Sequence, residues 1–262
     1  MISFVGAGPG AADLLTLRGV NRLQHADVVL WAGSLVSPEV LVHCRPEATL
    51  FDTKSMTLED VVAVYGAHPD AAIVRLHSGD PAWYSAIGEQ IDWCLTQGRD
   101  CEVVPGVSSV SAAAAAIRAE LTIPGISQTV VLTRLARRTA ASMGPGEDLV
   151  GYAAQGGLLA LFLSAGDPER LQATLLAPGS AYNDTTPVVI AHRVSWPDEQ
   201  LVATNLGALA QELRDRGITT SALVLVGNAL APAAGCIERS HVYDPAFSTQ
   251  FREASQFREA PR

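Results

Sequence analysis

Short β-branched and leucine-rich runs recur along this chain, each closed by glycine, proline or a small hydroxyl residue. Between them lie longer stretches whose apolar positions return every three or four residues. Ile2–Val5, Val28–Trp31, Ile73–Leu76 and Cys101–Val104 are runs of the first kind and predict strands. Helical spacing covers Leu14–Leu23, Pro38–His43, Thr57–Tyr65, Trp83–Leu95 and Val110–Ala119. Asp13 is placed to cap the first of these, and Thr57, with Asp60 three residues on, the third. After a break at Leu121–Gly125 the alternation resumes. Strands are expected at Ser127–Thr133, Leu158–Leu163, Pro187–His192, Leu201–Ala203 and Ala222–Val226, and helices at Asp148–Gln155, Glu169–Leu176 and Leu206–Arg216. Strands alternating with helices of this length predict an α/β protein whose parallel sheet is covered on both faces. The polar stretch Arg134–Gly146 reads as a flexible loop near the boundary of two halves.

Three loops stand out because their residues are small. Gly6–Gly10, Ser78–Pro81 and Pro105–Ser109 each follow a strand, so all three should open on one edge of the sheet. In open α/β sheets the carboxyl edge of the strands is where ligands bind. Gly79 permits a sharp bend and close approach of a ligand, while Pro81 fixes φ and pushes Asp80 towards an extended conformation. The same four residues also fit a plain tight turn with a capping aspartate.

The first loop, Gly6-Ala7-Gly8-Pro9-Gly10-Ala11, matches G-x-G-x-x-A loosely, yet two features oppose a dinucleotide site. Pro9 has no N–H to offer a pyrophosphate. The acid expected at the carboxyl end of the second strand is also missing, since Asp27 lies before that strand.

Composition narrows the field further. Of the 262 residues 48% are hydrophobic and 17% charged, which is enough for one large domain or two ordinary ones. No apolar run approaches the roughly 18 residues of a membrane span. The amino end opens directly on Ile2-Ser3-Phe4-Val5, without a basic region or cleavable apolar segment, so a cytoplasmic protein is expected. Cys44, Cys94, Cys101 and Cys236 are scattered and read as reduced thiols packed as small apolar groups, with no metal site. The formal charge of −9 argues against a nucleic-acid partner and means that a polyanionic ligand needs a local cluster of Arg and His.

The motifs Val5-Gly6-Ala7-Gly8-Pro9-Gly10, Arg75-Leu76-His77-Ser78-Gly79-Asp80-Pro81 and Val103-Val104-Pro105-Gly106-Val107-Ser108-Ser109 resemble those of the tetrapyrrole methylases that use S-adenosylmethionine. Ala32–Val36, Ser127–Arg134, Phe162–Ser164 and Tyr243–Ser248 look like the branch of that family that methylates carbon 11 of precorrin-4 in cobalamin biosynthesis. The resemblance runs along essentially the whole chain. Two positions depart from the family pattern: Ala11 stands where Asp is frequent, and Ser78 where Thr is frequent.

The resemblance implies two α/β domains, at about 1–122 and 127–230, with a tail over 231–262 and the cofactor in the cleft between the domains. It implies a homodimer, S-adenosylmethionine as cofactor with S-adenosylhomocysteine as product, and a polyanionic tetrapyrrole as substrate. Carried over by motif position, Pro9, Ser78, Gly79, Asp80, Trp83, Ser108 and Ser109 would line the cofactor pocket from the first domain, and Leu163, Val194 and Ala222 from the second. The residues agree with this. A cofactor with no phosphates needs no basic cradle, and glycine and serine loops can meet its amino group, carboxylate and adenine with main-chain groups at close range.

His77 is the base candidate nearest the cofactor loop, and equally fits a structural histidine at the sheet edge. Arg134, Arg137 and Arg138 are candidates to grip the acetate and propionate arms of the substrate, or form a solvated basic loop. The tail, with Phe247, Phe251 and Phe257, is read either as a docking segment or as a frayed end. Methylation of another macrocycle carbon, as in uroporphyrinogen-III methyltransferases, a cobalt-containing precorrin-4, and a non-catalytic tetrapyrrole carrier remain open alternatives.

Overall fold

The structure, a computed structural model, describes residues 1–136, 140–231, 237 and 239–254. The chain forms two compact units. The first comprises Met1–Arg118 with Ile190–Val202 and Ile218–Leu223. The second comprises Ala119–Val189, Ala203–Gly217 and the described part of Val224–Arg262.

The first unit is built on a five-stranded sheet of β1 (Ile2–Gly6), β2 (Val28–Trp31), β3 (Thr49–Asp52), β4 (Ile73–His77) and β5 (Cys101–Val104). The order is β3-β2-β4-β1-β5 and every pairing is parallel. Side chains alternate between the two faces. Val5, Val29, Val74, Leu76 and Val104 join one buried cluster with Leu15, Leu23 and Val40; Ile2, Phe4, Val28, Leu30 and Ile73 join another with Val61, Tyr65 and Cys94. A sheet buried on both faces explains why these strands read as nearly unbroken apolar runs.

Helices α1 (Leu17–Gln24), α2 (Leu58–Ala67), α3 (Gly88–Thr96) and α4 (Ser109–Ala116) complete this unit. α1 supplies Leu23 to the first cluster, whereas α2 and α3 supply Val61, Tyr65 and Cys94 to the second. The connection after β1 thus leaves over one face towards β2, and that after β4 over the other face towards β5. The neighbours β1 and β4 therefore mark a reversal of strand order, the place where such sheets leave a crevice beyond their carboxyl ends.

Three local expectations change. α1 starts at Leu17, capped by Thr16, whose Oγ1 accepts from Gly19 N at 3.1 Å; Asp13 sits instead in a 3₁₀ turn. α3 starts at Gly88 and not at Trp83, because Tyr84 (φ 53°) and Ala86 (φ 49°) are left-handed and cannot continue a helix. β3 was not expected, since Thr49–Asp52 is a half-exposed edge strand with no apolar run to announce it. The capping box of Thr57 and Asp60 is present at the start of α2.

A second sheet contains β6 (Val130–Arg134), β7 (Leu158–Phe162), β8 (Pro187–His192), β9 (Gln200–Asn205) and β10 (Ala222–Val226) in the order β6-β7-β10-β8-β9. β6 runs parallel to β7, and β10 antiparallel to it. Helices α5 (Leu149–Gln155), α6 (Pro168–Leu175) and α7 (Leu209–Asp215) belong to the second unit. Asp148 caps α5 by accepting from Gly151 N at 2.7 Å. Arg134 is the last residue of β6, with its guanidinium donating to Ser142 Oγ at 2.8 Å, so this end of the expected loop is ordered strand. The described part of the tail folds round Arg252, whose Nη2 donates to the carbonyls of Val242, Asp244 and Phe247. Phe247 and Phe251 remain exposed; Phe257 and Cys236 lie outside the described residues.

Candidate functional site

β1, β4 and β5 are parallel neighbours in register, with Gly6 opposite His77 and Val5 opposite Val104. Their three following loops must therefore emerge together. Beyond the parallel strand ends Gly8 and Gly79 form an isolated antiparallel bridge: Gly8 N donates to Gly79 O at 3.2 Å and Gly79 N to Gly8 O at 2.8 Å. Both glycines have positive φ, 75° and 65°, which other residues adopt only with strain. The third loop lies against the other two. A Cβ added to Gly106 would stand 2.2 Å from Gly79 O and 2.7 Å from Gly6 Cα. The three main chains thus stack with no room for a side chain between them.

Asp80 ties this edge together. One carboxylate oxygen accepts from Ala82 N at 2.8 Å within its own turn, and the other accepts from Gly106 N at 3.2 Å across to the β5 loop. Its charge is therefore engaged by main-chain donors. Ser108 caps α4, its Oγ accepting from Val110 N at 3.3 Å, and Ser78, Ser108 and Ser109 are half-buried. On its other side Gly79 faces the start of α4, where an added Cβ would meet Ser109 N at 3.8 Å and Ser108 Cα at 3.9 Å, ordinary van der Waals distances. Trp83 follows on the turn after Pro81 and is 45% exposed. Pro9, Ser78, Gly79, Asp80, Ser108 and Ser109 are therefore brought to one edge of the first unit.

Val194 and Ala222 also belong to the first unit, on segments that leave the second sheet. Val194 is buried between two left-handed residues, Arg193 (φ 49°) and Ser195 (φ 66°). Ser221, immediately before Ala222, is left-handed as well (φ 51°), and its carbonyl accepts from Arg193 N at 2.9 Å. Non-glycine residues held in this region mark places where surrounding structure overrides local preference, and they concentrate at functional sites.

In the second unit Leu163 shows the same signature, with φ 53° and 66% exposure directly after β7. Arg134 ends the adjacent strand, paired opposite Phe162. Arg137 and Arg138 lie outside the described residues.

His77 ends β4 on the face shared with Phe4, whose ring centroid is 6.1 Å away, and is only 5% exposed. Burial, and next the Arg75 charge, push its pKa down to about 3. Its imidazole is neutral near pH 7, and its buried Nε2 has no hydrogen-bond partner.

One part of the edge gave no signal in the sequence. The segment Arg193–Glu199 returns to the first glycine loop: Trp196 Nε1 donates to Pro9 O at 2.9 Å, and Ala11 N donates to Ser195 Oγ at 3.0 Å. Clusters of His, Cys, Asp or Glu able to hold a metal do not occur among the described residues. A separate cavity of about 270 Å³, lined in part by Gln128, Tyr152 and Gln155, lies in the second unit.

The three loops thus give stacked main chain with half-buried serines, and a proline in the first of them, at the carboxyl edge of an open α/β sheet, where such folds bind ligands. The chain belongs to the tetrapyrrole (corrin/porphyrin) methylases, whose family model matches residues 1–210. It is 42% identical over 231 residues to a precorrin-4 C(11)-methyltransferase of Mycobacterium tuberculosis, covering 87% of this chain and 91% of the relative. The solved structure of a cobalt precorrin-4 methyltransferase from a cobalamin biosynthetic pathway matches with a TM-score of 0.83 at 42% identity, covering 88% of this chain and 96% of that one. A uroporphyrin-III C-methyltransferase from Thermus thermophilus, solved with S-adenosylhomocysteine, matches with a TM-score of 0.71 at 27% identity over 88% and 93% of the two chains. The chain is accordingly an S-adenosylmethionine-dependent C-methyltransferase.

Proposed function

We propose that this enzyme methylates carbon 11 of precorrin-4, giving precorrin-5 and S-adenosylhomocysteine, as a step of cobalamin biosynthesis. The observation that carries the carbon assignment is the 42% identity, over nearly the full length, to an enzyme named for that carbon. The same identity to a structure named for the cobalt substrate supports a second reading, in which the macrocycle already holds cobalt. That metal would be part of the substrate and ask for no ligand from this chain.

S-adenosylmethionine, when bound, supplies a methyl group already activated by the positive charge on sulfur. The protein's share is then placement more than strong base catalysis. Pro9, Ser78, Gly79, Asp80, Ser108 and Ser109 are proposed to hold the cofactor through main-chain groups and small hydroxyls, with Trp83, Val194 and Ala222 as further contacts. Leu163, exposed on a strained backbone, is proposed as another. Arg134, with Arg137 and Arg138, is proposed to pair with the carboxylate arms of the substrate, which the net charge of −9 otherwise repels. A neutral, buried His77 accepts a proton poorly near pH 7, so it is assigned the support of the β4 loop in preference to the role of base. The acidic balance supports a protein without nucleic-acid partners. Among the described residues no helix is long and apolar enough to cross a membrane. A cytoplasmic homodimer is part of the same proposal.

The test is to incubate the purified enzyme with methyl-labelled cofactor and either metal-free or cobalt-containing precorrin-4, then locate the label by NMR. Label at carbon 11 supports the assignment, and the faster substrate chooses between the two readings. Label at another carbon refutes the assignment, and substrate binding with no turnover points to a carrier.

A further inference from the structure

The strap Arg193–Glu199 lies far from the glycine loops in sequence, yet it bonds to the first of them at two points. Trp196 donates its indole N–H to Pro9 O at 2.9 Å, and Ser195 Oγ accepts from Ala11 N at 3.0 Å. These bonds bracket Gly10, where an added Cβ would meet Trp196 Cδ1 at 2.3 Å. The indole therefore packs directly on main chain. The strap is braced from behind: Arg193 stacks over the Trp196 ring at 4.0 Å and donates to Asp198 Oδ1 at 2.7 Å, while Ser195 N donates to Glu199 Oε2 at 2.6 Å. Arg193 and Ser195 hold left-handed backbones to reach this arrangement.

We propose that Trp196, supported by Ser195, is a positioning residue for the cofactor: it fixes the Gly8–Gly10 main chain in its binding-competent shape. The chemistry of the loop makes such a part necessary. Pro9 has no N–H with which to anchor the loop to a neighbouring strand, and Gly8 and Gly10 have no side chains. On one side Gly8 is held by Gly79. On the other side the strap bonds to Pro9 O and Ala11 N, either side of Gly10, and Ala11 O accepts from Leu14 N in the turn that follows. Trp196 touches the loop and need not touch the ligand. A loop released from the strap samples other shapes, and cofactor affinity falls by the fraction of time it spends in them.

This inference rests on the first glycine loop being a cofactor site, and the test separates the two. Wild type, Trp196→Phe, Ser195→Ala and Trp196→Ala are titrated with S-adenosylhomocysteine by calorimetry and assayed for methyl transfer. Trp196→Phe keeps an aromatic ring but loses the indole N–H and the five-membered ring that carries it. It is expected to weaken S-adenosylhomocysteine three- to tenfold and raise KM for S-adenosylmethionine alike, with kcat and the tetrapyrrole KM within twofold of wild type. Trp196→Ala should weaken binding more than tenfold. Adding Gly10→Ala should harm the wild type far more than the Trp196→Ala background, where only Ser195 Oγ, at 3.0 Å, still crowds the methyl; if Trp196→Ala does not fold, Trp196→Phe and Ser195→Ala decide. Unchanged affinity in folded Trp196→Phe and Ser195→Ala, or a loss confined to kcat, overturns the positioning role. A wild type that does not bind S-adenosylhomocysteine overturns the cofactor-site reading itself, and the positioning role with it.

Discussion

Replacing Gly106 by alanine puts a methyl group into space already filled by main chain. The new carbon would lie 2.2 Å from Gly79 O, 2.7 Å from Gly6 Cα and 3.0 Å from Gly6 C. Relief needs about 1 Å of separation between loops that are held by the Gly8–Gly79 pair and by the Asp80–Gly106 bond. Gly106 lies outside the left-handed region, so the cost is steric and owes nothing to φ. The atoms in the way are backbone and cannot change rotamer, which places the cost near the upper end of the overpacking range, about 3 kcal/mol. For a chain of this size that corresponds to a fall in Tm of roughly 6–12 °C. S-adenosylhomocysteine affinity should fall at least tenfold, since parting the loops moves Ser108 away from Gly79. Gly66→Ala is the control. Gly66 lies in α2 with nothing within 4 Å of an added Cβ, so alanine should stabilise by about 0.5–1 kcal/mol and leave affinity unchanged. Calorimetry and urea unfolding of both variants read the two quantities. A Gly106→Ala protein with wild-type Tm and wild-type affinity would refute the stacking of the three loops.

Other expectations follow from single side chains. His77 is held neutral with a folded pKa of about 3 against about 6.5 unfolded, so below pH 6.5 the unfolded chain takes up a proton that the native state refuses. Stability conferred by this group is present above pH 6.5 and is lost as pH falls towards 3, by about 2 kcal/mol at pH 5. Urea melts at pH 7 and pH 5 should show that slope in the wild type and a flatter one in His77→Gln. Arg134→Ala, alone and with Arg137→Ala and Arg138→Ala, should raise the tetrapyrrole KM several-fold and leave S-adenosylhomocysteine affinity alone; an unchanged KM removes this cluster from the substrate site. Leu163→Gly relieves about 1 kcal/mol of left-handed strain while adding a similar loss of backbone entropy. Its Tm should stay within about 2 °C of wild type, whereas affinity drops three- to tenfold if the exposed side chain covers the cofactor; equal affinity would refute that contact.

Much of the first sheet was legible because its strands are buried on both faces. Ile2–Val5, Val28–Trp31 and Ile73–Leu76 announce themselves as apolar runs, and each is a strand in the structure. Proline and glycine after β1, β4 and β5 marked the edge where the loops meet. β3 stayed hidden because an edge strand needs no continuous apolar face. The start of α3 was misplaced because nothing in the side chains of Tyr84 and Ala86 betrays a positive φ. Asp80 could be read as a turn residue, but its bond to Gly106 depends on β5 lying beside β1, which no local pattern encodes. Trp196 is the clearest case. Its partner Pro9 is 187 residues away, and the contact arises from the path of the chain after β8.

The claim on which the account depends is that the glycine loops after β1, β4 and β5 hold the methyl donor. A crystal structure of the enzyme with S-adenosylhomocysteine tests it most directly. The account predicts the ligand against Pro9, with polar atoms within hydrogen-bonding distance of the main chain at Ser78–Asp80 and of Ser108 or Ser109. Ligand density that touches none of these three loops would contradict it.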